Sequence, residues 1–553
     1  MSIAKDARVS KQQLGQFLTP INVARKVLDG IHINPSDKVL EPSFGIGSFV
    51  FAYMERLKTV GVNVEEWAQK NICGCEIDAS AFSRFKAQWN YGTFPSSFIE
   101  GDFFRYEMPS YRASEYFMRV RGKFDLIIGN PPFGGTIDAA IQDELDNIYG
   151  FRNGYKIKKE TYAFFIVKCL DLLKDGGRLI FICSDTMLSI NTLAGLRRYL
   201  METCKVEVKH LPGEFDDTNQ PMVVLSLTKG GSGVSVFGEV KPIEQISRTA
   251  NSSWTITSEL VKYFTGRTLG DYFVASSGMT VGKNEYFLRE IDDGSIVEPY
   301  DFEIYDRPIT LNQEIGKARL GKISPKKKHK IMEQEARGET ERALRVTLKA
   351  RPQRIKLPHP DYAPYNKATN KLIYTPPSCV VYWKNDGQAV YTFKKSGPWY
   401  LHGVGGKPYF KQEGLSWQLI SSHLNIRYLP AGYILDSGAP CAFLKKGVAK
   451  DEMYFVMGWC LTKWCNTILK KVINHTRNIQ SKDFERLPYP SWVSAEHREK
   501  AIGLIKNMIR RAKQGEPFSY KSKEISVFDE LFAWNNSAAS EERRHFRQLV
   551  FTF

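Results

Sequence analysis

The chain has 553 residues, enough for two to four domains around a large core, and its composition is that of an ordinary soluble globular protein, 42% hydrophobic and 25% charged. No apolar run approaches a membrane span, the first residues lack a signal-peptide core, and nine scattered cysteines show no repeated C-x-x-C pairing, so export, a membrane anchor and a disulfide scaffold are not expected. A formal net charge of +17 favours a polyanionic partner, although charge speaks to association and not to fold.

Residues 1–13 are polar. Leu14 to Pro20 (LGQFLTP) then leads into INVARKVLDGI. Thr19 is placed to cap a helix with Pro20 at its first position, and Val23, Val27, Leu28 and Ile31 fall on one helical face. KVLEP, Lys38 to Pro42, is a short strand running into the glycine loop Ser43-Phe44-Gly45-Ile46-Gly47 and then a helix. Strand, glycine loop and helix open a doubly wound nucleotide-binding unit. The loop is not GxGxxG and lacks the Lys-Ser/Thr of a phosphate-binding loop, so a triphosphate is not expected.

NICGCEI, Asn71 to Ile77, is the second strand. Its Cys73 and Cys75 read as small core residues and not as metal ligands. An acid at the end of this strand can accept hydrogen bonds from two ribose hydroxyls. Glu76 is the ligand candidate, while Asp78 fits the cap of the helix that follows. Gly101-Asp102-Phe103-Phe104 closes the third strand, either as a plain turn or as an adenine site in which Asp102 binds the amine and Phe103 packs on the ring.

The fourth strand, Phe124 to Ile128, ends in Gly129 and then Asn130-Pro131-Pro132-Phe133. Asn130 offers an amide oxygen, and the carbonyl of Pro131 is a second acceptor in a rigid segment with no backbone donors at the prolines. With the Phe133 ring these groups suit a planar substrate carrying an NH2 group. The plainer reading is a turn with a satisfied Asn and a core Phe. TYAFFIVKCLDLLKDGG is a helix stopped by glycines, RLIFICS a fifth strand, and KVEVKHL and PMVVLSL a closing antiparallel pair around PGEFDDTNQ.

Taken in order, these landmarks resemble the γ-type N6-adenine DNA methyltransferases that use S-adenosyl-L-methionine (AdoMet), over residues 14–230. The resemblance implies a Rossmann-like, seven-stranded α/β domain over 1–232, binding AdoMet and catalysing transfer. A mixed α+β target-recognition region with a helical C-terminal part would follow over 233–553. It implies that Phe17, Thr19 and Pro20 close over the methionine moiety and that Glu41, Pro42, Phe44, Gly45 and Gly47 line it. Glu76 would hold the ribose, and Asp102 and Phe103 the adenine. Asn130, Pro131, Pro132 and Phe133 would form the catalytic loop, with Phe215 as a second ring against the flipped target base. Double-stranded DNA would be the partner, a cognate restriction endonuclease a further one, and the protein a cytoplasmic monomer without metal.

Beyond GGSGVSV (230–236), which reads as a junction, residues 324–356 are strongly basic (SPKKKHK, then RALRVTLKARPQRIK). Phosphate tracking and a solvated helix face are both open for them. Aromatic-rich stretches broken by Gly and Pro then read as strands and loops, and AEHREKAIGLIKNMIRRAKQG as a helix. Arg477, Asn478 and Gln480 carry base-reading chemistry. The alternative function is the same loop chemistry on RNA adenine or on a protein glutamine amide, enzymes that usually lack such a basic C-terminal half. Too few residues precede the cofactor segments for an N-terminal nuclease, and Cys441 lies in the wrong context for a cytosine-type nucleophile.

Overall fold

The computed structural model describes residues 18–104, 122–132, 141–158, 160–211, 221–249, 251–310, 325–396 and 407–534. Phe17, Phe133 and Phe215 lie outside the described residues. The chain divides into two compact units, Met1–Val261 with Lys471–Ile473, and Lys262–Lys470 with Asn474–Phe553.

The first unit alternates helices and strands. It opens with α1 (Ile21–Asp29), β1 (Val39–Glu41), α2 (Ser48–Thr59), α3 (Val64–Asn71), β2 (Ile72–Glu76), α4 (Ala79–Gln88) and β3 (Phe98–Glu100). Next come β4 (Phe124–Gly129), α5 (Gln142–Tyr149), a small hairpin of β5 (Phe151–Arg152) and β6 (Tyr155–Lys156), α6 (Thr161–Leu172) and β7 (Leu173–Ser184). It continues with α7 (Ala194–Thr203), β8 (Cys204–His210), β9 (Met222–Lys229), β10 (Val234–Val236) and β11 (Glu239–Lys241), and two short helices, Ile243–Ser247 and Ser258–Val261, follow.

All but the small hairpin join one nine-stranded sheet in the order β11-β10-β8-β9-β7-β4-β1-β2-β3. β3, β2, β1, β4 and β7 run parallel, and β9 is antiparallel to both β7 and β8. β1, β2 and the Leu126–Gly129 stretch of β4 are buried throughout, as expected of parallel strands covered on both faces. The seven expected strands are therefore present, extended by two. Val234–Val236 is no junction: it pairs in parallel with β8, because its two valines alternate into the core while Gly233 takes the left-handed turn that precedes it. The first unit accordingly runs past residue 232.

Asp78 caps α4, accepting from the N–H groups of Ser80 at 2.9 Å and Ala81 at 3.4 Å. Thr19 does not cap α1. The N-cap is Pro20, whose carbonyl accepts from Val23 and Ala24, and the Thr19 hydroxyl is engaged elsewhere.

The second unit is mixed α and β. One sheet has the order β12 (Phe273–Ser276), β21 (Cys441–Leu444), β18 (Gly414–Ser416), β19 (Arg427–Leu429). Another has the order β13 (Leu288–Glu290), β17 (Cys379–Tyr382), β16 (Tyr362–Asn366), β20 (Ile434–Leu435). A long antiparallel ribbon pairs β14 (Ser295–Pro308) with β15 (Thr340–Lys356). The basic stretch is thus a helix, Pro325–Ala336, and then a strand whose cations meet carboxylates on the neighbouring strand. Arg345 pairs with Glu303 at 2.7 Å, and Arg307 of β14 with Glu341 at 2.6 Å. At the ribbon's base Arg289 and Glu298 form a buried pair at 2.5 Å, to which the Tyr362 hydroxyl donates. The tail helix is Ala495–Lys513, capped by Ser494.

Candidate cofactor and catalytic site

The sequence-predicted residues gather at the carboxyl ends of the parallel strands. Register places Glu41 beside Gly74 and Glu76 beside Glu100, so the ends of β1, β2 and β3 stand in a row. β4 flanks β1 on the other side, with Leu40 opposite Ile127. The chain reverses its direction of sheet growth between β1 and β4, the position where open α/β sheets form a ligand crevice. The glycine loop 43–47 leaves one wall of that crevice and Asn130-Pro131-Pro132 the other.

The glycine loop is held by carboxylates. Glu76, buried at the end of β2, accepts from the Gly45 N–H at 2.7 Å on Oε2 and from the Asp78 N–H at 2.8 Å on Oε1. Glu41, 2% exposed, accepts from the Val50 N–H at 3.1 Å in the first turn of α2. Burial pushes the Glu41 carboxyl well above the ordinary carboxylate range; the Val50 N–H opposes this, and the neighbouring Glu76 charge adds to it. Gly47 takes φ +84°, and a Cβ there would lie 2.2 Å from the Phe85 ring, so only glycine fits.

Phe44 does not line an open loop. Its ring is 3% exposed and packs on Phe85 with centroids 4.7 Å apart and edge-on to Phe98 at 5.4 Å, anchoring the loop from inside the core. At the end of β3, Asp102 Oδ1 accepts from the Phe104 N–H at 2.9 Å, which fixes the turn. Phe103 is buried against Phe165, and the Lys168 ammonium sits 4.2 Å from its centroid while donating to the Phe103 carbonyl. Lys168 is fully buried on α6. The signal that could have found it is a lone cation within the apolar run of TYAFFIVKCLDL.

Thr19 joins the two walls. Its carbonyl accepts from the Ser48 hydroxyl at 2.6 Å, at the start of α2. Its hydroxyl accepts from Asn130 Nδ2 at 3.2 Å. The Asn130 carbonyl in turn accepts a long bond, 3.4 Å, from Ser43 Oγ. Leu18 packs over Gly45, its Cδ2 3.2 Å from where a Cβ would stand. Thr19, Pro20, Glu41, Pro42, Gly45, Gly47, Glu76, Asp102, Asn130 and Pro131 therefore belong to one constellation along the strand ends; Ser48 is a member that sequence reasoning missed. Among the described residues no group of His, Cys, Asp and Glu is placed to hold a metal ion. Burial pushes the Cys75 thiol well up and that of Cys441 to about 11, so neither carries an activated thiolate.

Residues 60–212 match the family described as Eco57I restriction-modification methylase. Curated relatives include the type II methyltransferase M.TthHB8I of Thermus thermophilus, 26% identical over 268 residues, 47% of this chain and 55% of the relative. M.HincII of Haemophilus influenzae is 28% identical over 225 residues, 40% of this chain and 38% of the relative. The matches thus span about half, or less, of those relatives' length. Among solved structures, the type IIL restriction-modification enzyme MmeI in complex with DNA aligns with a TM-score of 0.53 at 10% identity, covering 97% of this chain and 75% of that one. A DrdV–DNA complex aligns with a TM-score of 0.54 at 12% identity, covering 91% and 57%. By sequence the chain is similar to DNA methyltransferases of restriction-modification systems, and its fold is the α/β methyltransferase fold followed by a mixed α+β unit.

Proposed function

We propose that this protein transfers a methyl group from AdoMet to the N6 amine of adenine at a defined sequence in double-stranded DNA. The observation that carries the reading is the tie between Asn130 and Thr19. It fixes the side chain of an Asn-Pro-Pro loop at the strand-order switch, across from the glycine loop.

The donor set fits the cofactor. The glycine loop has no lysine and no phosphate-binding pattern, and the row of strand ends supplies carboxylates. Glu76 would hold the ribose hydroxyls, Asp102 the adenine amine, and the segment at Thr19 and Pro20, with Phe17, would close over the methionine end. Glu41, Pro42, Gly45 and Gly47 would line it, with Phe44 and Phe103 supporting the walls from behind. AdoMet supplies, when bound, a methyl group on a charged sulfonium.

The remaining work falls to the chain. An adenine within a duplex is out of reach and is swung out of the stack, with Phe133 and Phe215 as its stacking rings. Its exocyclic nitrogen is a weak nucleophile because the lone pair is delocalised into the ring. The Asn130 side-chain oxygen and the Pro131 carbonyl accept its two hydrogens and favour a tetrahedral nitrogen. Preorganised dipoles of this kind are worth roughly 3 kcal/mol of barrier each. Pro132 stiffens the loop, so little reorganisation accompanies the transfer. A cytoplasmic location, a monomeric state and a cognate endonuclease belong to the same reading.

The test is incubation of the protein and of Asn130→Ala with unmethylated plasmid and methyl-labelled AdoMet, with modified bases mapped by single-molecule sequencing. N6-methyladenine at one repeated motif, absent with the variant, is the expected result. Label on RNA or on protein glutamine, and none on DNA, would overturn it.

A further inference from the structure

The second unit contains a polar cleft of about 540 Å³, lined by Asn370, Gln418, Ile420, Ser421, Asn425 and Arg477. Three loops build it: the stretch after β16, the connection between β18 and β19, and the segment around Arg477. They are knit together with unusual thoroughness. The Ser421 N–H donates to the Arg477 carbonyl at 2.8 Å, the Ile479 N–H to the Leu419 carbonyl at 2.7 Å, and Ile420 forms an antiparallel bridge with Asn478. Trp417 is buried, stacks on Phe484 and donates to the Ile479 carbonyl at 3.0 Å.

Two inward-facing cations complete the frame. Lys470 Nζ donates to the carbonyls of Ser421 at 2.8 Å and Thr476 at 2.9 Å, joining the second and third loops. Arg427, 3% exposed, donates to Asn366 Oδ1 at 2.8 Å and to the Lys367 carbonyl at 2.9 Å, holding the loop that leads to Asn370. The side chains that face solvent from this frame differ in kind. Arg477 and Asn370 are exposed, Gln418 half-buried, and none of the three makes a side-chain hydrogen bond or ion pair among the described residues. Among the described residues no carboxylate lines the cleft. Ile420, beside them, is 60% exposed.

A phosphate track would present several cations. One guanidinium among amides, with an adjacent apolar side chain, instead matches the edges of base pairs. Guanidinium pairs with guanine O6 and N7, carboxamides with adenine N6 and N7, and an apolar group with the thymine methyl. Gln480 opens the helix Ser481–Arg486 through its backbone, its N–H donating to Asp483 Oδ2 at 2.8 Å.

We propose that this cleft reads base edges in the major groove of the DNA, with Arg477 contacting a guanine and Asn370 and Gln418 the adjoining pairs. The proposal rests on the DNA reading above and assigns part of its sequence specificity. The test selects duplexes from a random pool with the wild type, Arg477→Ala, Arg477→Gln, Asn370→Ala and a control at an exposed cation outside the cleft, Lys500→Ala. The methylated motif of each protein is mapped alongside, and thermal melting confirms that each variant is folded.

Arg477→Ala should lose preference at one base pair by about 5- to 150-fold. Arg477→Gln should move that preference from G toward A, and Lys500→Ala should leave the motif unchanged. A motif unaltered by both Arg477 variants, or a loss of binding equal across all sequences, would overturn the assignment. A wild type that selects a motif but transfers no methyl group would sink the catalytic reading and leave the cleft standing. A methylated motif that survives both Arg477 variants would do the reverse, and a wild type that neither selects nor methylates DNA would end both.

Discussion

Asn130 donates from its side-chain amide to the hydroxyl of Thr19 at 3.2 Å, across 111 positions of sequence. An amide has two chemically different ends, and here Nδ2 is the end turned to Thr19. Oδ1 is then the acceptor end of the loop. The same threonine receives the Ser48 hydroxyl on its carbonyl, so the loop, the segment before α1 and the start of α2 are set by one residue.

Asn130→Ala should lower methyl transfer about a hundredfold or more while AdoMet binding persists. Thr19→Val, which keeps the shape and removes the acceptor, should cost about tenfold in kcat, and Thr19→Ser should restore most of it. Single-turnover kinetics beside calorimetric AdoMet titration separate the two effects. A Thr19→Val enzyme with wild-type kcat would show that the amide needs no such tie.

Glu76→Gln should be worse than its size suggests. Both carboxylate oxygens accept backbone N–H groups, whereas an amide can accept at one end only and must place its NH2 against the other donor. A loss of about 1–3 kcal/mol in stability is expected. Denaturant unfolding measures it, and an accompanying fall in AdoMet affinity should appear in equilibrium binding.

The two glycines of the loop should respond unequally to alanine. At Gly47 the new methyl would collide with the Phe85 ring at 2.2 Å and the backbone is left-handed, so a loss of about 2–4 kcal/mol is expected. Gly45 is left-handed as well, at φ +57°, but among the described residues its close neighbour is Leu18 Cδ2 at 3.2 Å, on a side chain able to yield, so the backbone cost stands without the ring collision. Thermal unfolding of the two variants side by side should place Gly47→Ala clearly lower.

Glu41 predicts a pH dependence with a definite sign. Burial holds its folded pKa above the ordinary value of 4.5, so below that value the folded and unfolded chains both carry the proton. As pH rises past it, the unfolded chain releases the proton and the folded one keeps it. The stability this group contributes is therefore full at low pH and declines upward through its raised folded pKa. Glu41→Gln should remove that slope. The difference in unfolding free energy, wild type minus variant, should fall as pH rises above 4.5; a flat or rising difference would contradict the assignment.

Much of the first unit was legible because its strands are apolar runs closed by glycine or an acid. KVLEP, NICGCEI, FDLIIG and RLIFICS each announce a buried strand, and Asp78 announces its helix. β10 was not legible: three residues after GGSG carry too little periodicity to outweigh four linker-like residues. Thr19 misled because Thr-Pro before an amphipathic run is a capping signal, and only the tertiary fold brings Asn130 to its hydroxyl. The basic stretch of β15 resisted for a similar reason, since its carboxylate partners lie on β14 some 40 residues earlier, as with Arg345 and Glu303. Phe44 looked like a loop ligand because local sequence does not say which way a ring points.

In the cleft of the second unit, the residues that hold it together are not those it presents. Arg427 and Lys470 face inward onto carbonyls and amides, while the side chains of Asn370, Gln418 and Arg477 make no hydrogen bond to the frame among the described residues. The exposed set can drift without unfolding the protein, so neighbouring lineages are free to acquire new target sequences by single changes at those positions. Glu76 has no such freedom, because both oxygens of its carboxylate hold the backbone of the glycine loop and of the helix start beside it. Variation in this scaffold should therefore collect at the cleft, leaving the strand ends of the first unit much as they are.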